Sequence, residues 1–297
     1  MIFHVRHVTE VRYSSTVRLA RFNLRLRPAE WHDQEVLDYQ LTVNPLPAAR
    51  HDETGPYLVN NTRLTLAEPT TKLCIESAFH VRKPDNAATG DLMGHAPSCQ
   101  QVRTDAQQSC DLSEYGPASY IFPSPMIPLS AEIGQWAREF MSEHDSVVQS
   151  ARAVMQAIFT EFTFDGTATQ TRTPAIEAFA KRRGVCQDFA QIMISALRAN
   201  GIPAAYVSGY LRTLPPAGSA PLIGADATHA WVNVWCGAKL EWIGFDPTNN
   251  AIAGSDHIFT AMGRDYGDVA PVDGIFLGAT SQTLRVSVDV TPVETPN

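Results

Sequence analysis

The chain has 297 residues, 44% hydrophobic and 18% charged, with 23 Lys and Arg against 31 Asp and Glu for a formal net charge of −8. This composition can bury a real core in one large or two ordinary domains, and its acidic balance speaks against nucleic acid as a partner. No apolar run reaches the roughly 18 residues of a membrane span, so no membrane partner is expected.

The first fifteen residues, MIFHVRHVTEVRYSS, contain no apolar stretch of signal-peptide type, so no secretory leader is expected. The cysteines are Cys74, Cys99, Cys110, Cys186 and Cys236. An odd number without CxxC spacing argues against a disulfide framework or a zinc site and fits a reduced, cytoplasmic setting. The nine histidines form no HExxH pair, so neither a metal nor another cofactor is expected.

In chain order, residues 1–83 alternate with period 2. Phe3, Val5, Val11 and Tyr13 share one parity, as do Phe22, Leu24 and Leu26, then Leu37, Tyr39, Leu41 and Val43, and finally Leu73, Ile75, Phe79 and Val81. Such runs predict antiparallel strands with one buried face, in a sandwich or open barrel. Arg18, Arg21, Arg25 and Arg27 read as a solvated strand face. Residues 84–128 lose the period and read as a Pro/Ser/Gln-rich linker. Residues 129–291 form the second predicted domain, and 292–297 a tail.

That second domain opens on helical spacing. Ser130 caps a stripe of Ile133, Trp136, Ala137 and Phe140, and Asp145 is the expected cap of the next helix. Thr173-Pro174 starts another helix. Cys186 then opens a helix with Phe189, Ile192, Met193, Ala196 and Leu197 inward, closed by Asn200-Gly201. Strands follow near 204–212, 228–235 and 240–246, and Leu284, Val286, Val288 and Val290 read as a closing strand.

Cys186 therefore stands where unpaired backbone N–H groups and the helix dipole favour a thiolate and a later oxyanion. Gly184 would ease the chain's entry into the helix. The alternative is a small buried filler. In the segment THAWVNVWCGAKLEWIGFDPTNN, two alternating runs flank Gly237-Ala238, which reads as a hairpin turn. If Trp235 faces Leu240, then Asn233 faces Trp242, Trp231 faces Gly244 and His229 faces Asp246. Opposed residues stand about 5 Å apart at Cβ, within reach of an imidazole–carboxylate hydrogen bond. The bland readings are a structural histidine and a turn aspartate before Pro247. Asp188 reads mainly as dipole complementation, with substrate orientation as the minority role. Tyr210 is a candidate either for lining the cleft or for packing the core.

The stretches GVCQDFAQIMISALRANGIPAAYVSGY, HAWVNVW and WIGFDPTNN resemble the bacterial branch of the transglutaminase-like superfamily. The resemblance implies Cys186, His229 and Asp246 as catalytic residues, with Cys186 docked against His229. It also implies an α+β fold, a papain-like core of helices on an antiparallel sheet, preceded by a β-domain. The expected activity is cysteine-dependent amide hydrolysis or acyl transfer on a peptide or protein amide. A non-catalytic peptide- or protein-binding relative is the alternative. No side-chain oxyanion donor is assigned, because the position six residues before the cysteine, where papain-type enzymes carry glutamine, is Ala180.

Overall fold

Alternation over the first 83 residues becomes six strands: β1 (Ile2–Val17), β2 (Leu19–Leu24), β3 (Glu35–Asn44), β4 (Ala49–Thr54), β5 (Asn60–Leu66) and β6 (Thr70–Arg82). The structure, a computed structural model, describes residues 1–84, 96–213, 227–279 and 281–293. Residues 85–95 of the expected linker and 294–297 of the expected tail lie outside the described residues. Chain order continues with α1 (Cys99–Gln108), a 3-10 turn (Pro117–Tyr120), α2 (Ala131–Ala137), α3 (Val147–Glu161), β7 (Thr163–Phe164), α4 (Ala175–Lys181), β8 (Arg183–Gly184) and α5 (Cys186–Ala199). Then come β9 (Ala204–Leu211), β10 (Ala227–Trp235), β11 (Trp242–Asp246), β12 (Ala251–Ile252), β13 (His257–Gly263), α6 (Tyr266–Val269), β14 (Val272–Leu277) and β15 (Gln282–Val293).

The fold is α+β. A five-stranded antiparallel sheet, ordered β12-β11-β10-β9-β13, carries the helices. Its central helix is α5, where every residue from Phe189 to Arg198 is buried. A helix enclosed on all sides is a core element, and each large apolar side chain removed from water contributes about 1.5–3 kcal/mol. Ser130 caps α2 as expected, accepting the Ile133 N–H at 3.2 Å. Asp145 does not cap α3. Its carboxylate accepts the Ser142 N–H one turn earlier, and Ser146 holds the cap position.

Two four-stranded sheets, β15-β1-β6-β3 and β14-β2-β5-β4, make the sandwich. Between them lie Val11, Tyr13, Phe22, Leu24, Leu64, Leu73 and Ile75. This corrects the expected division of the chain. β14 and β15 belong to the sandwich rather than to a 129–291 domain, because β14 pairs with β2 and β15 pairs with β1 from Ile2 to Tyr13. Alternation identifies a strand but carries no information about which sheet receives it. The expected linker is also partly core, since Cys99, Val102, Ala106 and Tyr120 pack into the α5 cluster.

The sandwich rests on the central sheet through Phe3, Val5, Phe79, Val81, Val288 and Val290 against Tyr210 and Ile258. Tyr210 is therefore a core residue. Its hydroxyl meets His7 Nδ1 at 3.0 Å in the buried seam.

Candidate active site

Each residue of the predicted trio is placed by a different element. Cys186 is the first residue of α5 and is partly exposed, with Val185 extended before it. The first turn is closed from within: Asp188 is buried, and its Oδ2 accepts the Val185 N–H at 2.8 Å and the Thr169 hydroxyl at 2.6 Å. Burial, partly offset by these donors, raises its pKa. Asp188 thus caps the helix that carries the cysteine, in keeping with the dipole reading. Gly184 is needed for space, since a β-carbon there would lie 2.6 Å from Asp188 Oδ2 and 2.7 Å from its Cβ.

His229 and Asp246 lie on β10 and β11, but the register differs from the expected one. Trp235 faces Trp242, Asn233 faces Gly244 and Val232 faces Phe245. The reason is the turn, which is longer than two or four residues. Gly237 and Glu241 both adopt positive φ, and the Cys236 N–H closes the loop on the Glu241 carbonyl at 2.7 Å. The shift is two residues, so parity is kept and both side chains stay on one face. They meet along the diagonal, with His229 Nε2 2.8 Å from Asp246 Oδ2.

Asp246 is fully buried and saturated with donors. Oδ1 accepts the N–H groups of Thr248 (2.9 Å) and Asn249 (3.2 Å), an Asx-type turn over Pro247. Oδ2 receives His229, the Asn249 amide at 2.7 Å and His257 Nε2 at 3.1 Å. Asp246 therefore serves both as a turn residue and as the partner of His229. Desolvation would raise its pKa, but the hydrogen bonds from the two histidines hold it well below the usual carboxylate range. Burial likewise lowers the pKa of His229, yet Asp246 and Cys186, which both favour the charged ring, outweigh burial and raise it to about 10. Nε2 is the nitrogen on the carboxylate.

Asn249 and His257 are absent from the sequence reading. Asn249 had a local signal, an amide three residues past an Asp-Pro turn. His257 had none, because β13 reaches the site by joining the far side of β9 through a register shift between Phe259 and Ala261. Trp231 fills the space beside both histidines, its ring 6.3 Å from that of His229 and 5.3 Å from that of His257. Two glycines give it room. A β-carbon at Gly209 would fall 2.5 Å from the Trp231 ring, and one at Gly244 would fall 3.2 Å from its Nε1.

Among the described residues, His229, Asp246 and His257 bring three potential metal-ligand atoms within 4.8 Å of one another. The Gly254 N–H donates to His257 Nδ1 at 3.2 Å, which places that ring's proton on Nε2, facing Asp246. A metal would need a lone pair there, so the arrangement fits a hydrogen-bond cluster better than a cation site. Among the described residues no helix is long and apolar enough to cross a membrane.

Residues 134–247 match the family model for the transglutaminase-like superfamily, and residues 3–82 match that for the bacterial transglutaminase-like N-terminal region. An uncharacterized protein of Mycobacterium tuberculosis is 34% identical over 98% of this chain and 93% of its own length. A protein-glutamine gamma-glutamyltransferase of Pseudomonas aeruginosa is 33% identical over 38% of this chain and 18% of its own. Among solved structures, one from Cytophaga hutchinsonii described as a candidate cysteine protease shares the fold at TM-score 0.71 and 21% identity, covering 100% of this chain and 92% of that one.

Proposed function

Because this chain belongs to the transglutaminase-like superfamily, we propose that it breaks amide bonds through a thioester on Cys186 and passes the acyl group to water or to an amine. The observation that carries this reading is the buried His229, with Nε2 2.8 Å from Asp246 Oδ2, on the strand β10 against which the Cys186 helix packs. Cys186 Sγ would attack the carbonyl carbon while its proton resides on His229. The carbonyl oxygen would take up negative charge beside the first-turn N–H groups of α5, which have no intrahelical acceptor. As the C–N bond breaks, His229 returns the proton to the departing amine. Water or a second amine then attacks, His229 takes its proton, and the C–S bond breaks to restore the thiol. Asp246 would orient the imidazole and offset its charge. All five cysteines are free, which supports a reducing, cytoplasmic setting.

The test is to incubate the protein with a glutamine-containing peptide, with and without hydroxylamine, and to examine Cys186 by mass spectrometry. The expected result is a peptide-acyl adduct on Cys186, absent in Cys186→Ala. Hydroxamate as product would mark amine transfer, and free acid would mark hydrolysis. The reading fails if the folded protein forms no adduct and iodoacetamide labels Cys186 no faster than Cys74 or Cys110. The remaining role would then be that of a non-catalytic binding relative.

A further inference from the structure

Asp246 Oδ2 has no exposure to water and accepts from two imidazoles, and catalysis as proposed uses only one of them. His257 is 7% exposed and fixed on three sides. Its backbone N–H donates to the Gly254 carbonyl at 3.0 Å, and its Nδ1 accepts the Gly254 N–H at 3.2 Å. Its ring also stands edge-on to Trp231, with centroids 5.3 Å apart at 79°. Since a backbone N–H always donates, Nδ1 must present a lone pair, and the neutral ring carries its hydrogen on Nε2. That hydrogen points at Asp246 Oδ2, 3.1 Å away. The tautomer therefore follows from a backbone contact that no rotation of the ring can satisfy otherwise.

We infer that His257 is a positioning residue, a fixed Nε2–H donor that holds the Asp246 carboxylate in the rotamer His229 requires. The inference deepens the reading of Cys186, His229 and Asp246 as the reacting group and rests on it for its catalytic meaning. A buried carboxylate is tolerated only when its lone pairs are filled. Asn249 fills one site on Oδ2 at 2.7 Å, but it belongs to the same turn as Asp246 and moves with it. His257 comes from another strand and ties the carboxylate to β13. The two imidazoles converge on one oxygen with ring centroids 6.1 Å apart, so a turn of the carboxylate toward either is opposed by loss of the other.

The test uses two substitutions that separate the ring nitrogens. In His257→Gln the amide nitrogen falls near the position of Nε2 and keeps a donor to Asp246. In His257→Asn the side chain reaches only the Nδ1 position and loses that donor. Two readouts apply: the titration midpoint of His229 followed by NMR on ring-labelled histidine, and the rate of Cys186 alkylation by iodoacetamide. For His257→Asn the midpoint should fall by about one pH unit, and alkylation should slow by roughly tenfold, the worth of one charge-assisted hydrogen bond. For His257→Gln both should stay within about threefold of wild type, on the same scale. Equal behaviour of the two variants, or an unchanged midpoint in His257→Asn, would overturn the inference. The midpoint does not depend on turnover. A shifted midpoint in a protein that forms no acyl adduct would sink the proposed chemistry and leave the positioning role standing.

Discussion

Asp188 folds back over Gly184, so that its carboxylate closes the first turn of the cysteine helix from within, accepting the Val185 N–H at 2.8 Å. The turn has no room for a β-carbon at position 184, where one would meet Asp188 atoms at 2.6–2.7 Å. Gly184→Ala should therefore displace Asp188 and cost about 1–3 kcal/mol in urea unfolding. Alkylation of Cys186 should slow in the same variant. A Gly184→Ala protein of wild-type stability and reactivity would refute this account of the turn.

The pair on β10 and β11 sets a pH window. His229 has its pKa raised to about 10 in the fold, so its contribution to stability is full below its ordinary value near 6.5. That contribution is lost as pH rises through about 10. Asp246 is depressed, so its contribution is full above the ordinary carboxylate value and is lost as pH falls. Denaturation profiles should show stability declining from about pH 6.5 toward 10, and His229→Gln should flatten that limb.

The seam between the sandwich and the central sheet works in the opposite sense. Burial lowers the pKa of His7 to about 4, so the fold holds it neutral between Tyr210 and Thr9. Between about pH 6.5 and 4 the unfolded chain binds the extra proton, and stability falls as pH falls. Tyr210→Phe should cost about 1–2 kcal/mol near neutral pH by orphaning His7 Nδ1. His7→Gln should remove most of the loss between pH 6.5 and 4.

Asp246→Asn tests charge against shape. The amide fits the same space but presents only one acceptor oxygen, and it leaves His229 without its counter-charge. The rate of acyl-adduct formation on Cys186 should drop by about 10²–10⁴-fold. Asp246→Glu should also fail, because three side-chain donors already fix Oδ2 at 2.7–3.1 Å. If Asp246→Asn kept wild-type adduct formation in single-turnover mass spectrometry, the carboxylate would have no part in the chemistry.

Gly209→Ala should be among the most damaging small substitutions. The added carbon would stand 2.2 Å from the Ile258 carbonyl and 2.5 Å from the Trp231 ring. Neither neighbour can yield without moving β13 or the wall beside His229 and His257. Thermal unfolding should show a loss of about 1–3 kcal/mol or more. The alkylation rate of Cys186 should fall together with stability.

Parity was the legible part of this site. His229 and Asp246 are an odd and an even position on antiparallel strands, and a turn longer by two residues leaves such a pair on one face. The Cys186 helix was legible because its inward stripe from Phe189 to Leu197 and its Asn200-Gly201 stop are local signals. His257 was not, since only the sheet order brings β13 beside β9 and its register shift aims the ring at Asp246. The same limit applies to β14 and β15. Val288 and Val290 announce a strand with a buried face, but their partners Val5 and His7 lie at the other end of the chain.

That last pairing bears on how the protein is made. β1 leaves the ribosome well before β15, its neighbour on one side, so Val5 must wait for Val290. The helical core is threaded between these two events. During synthesis β1 therefore keeps one edge unpaired until residues 282–293 emerge, and sheet closure is a late, long-range step. Shortening the chain at its C-terminal strand would be felt first in the N-terminal sheet, as a newly opened edge able to recruit strands from other molecules.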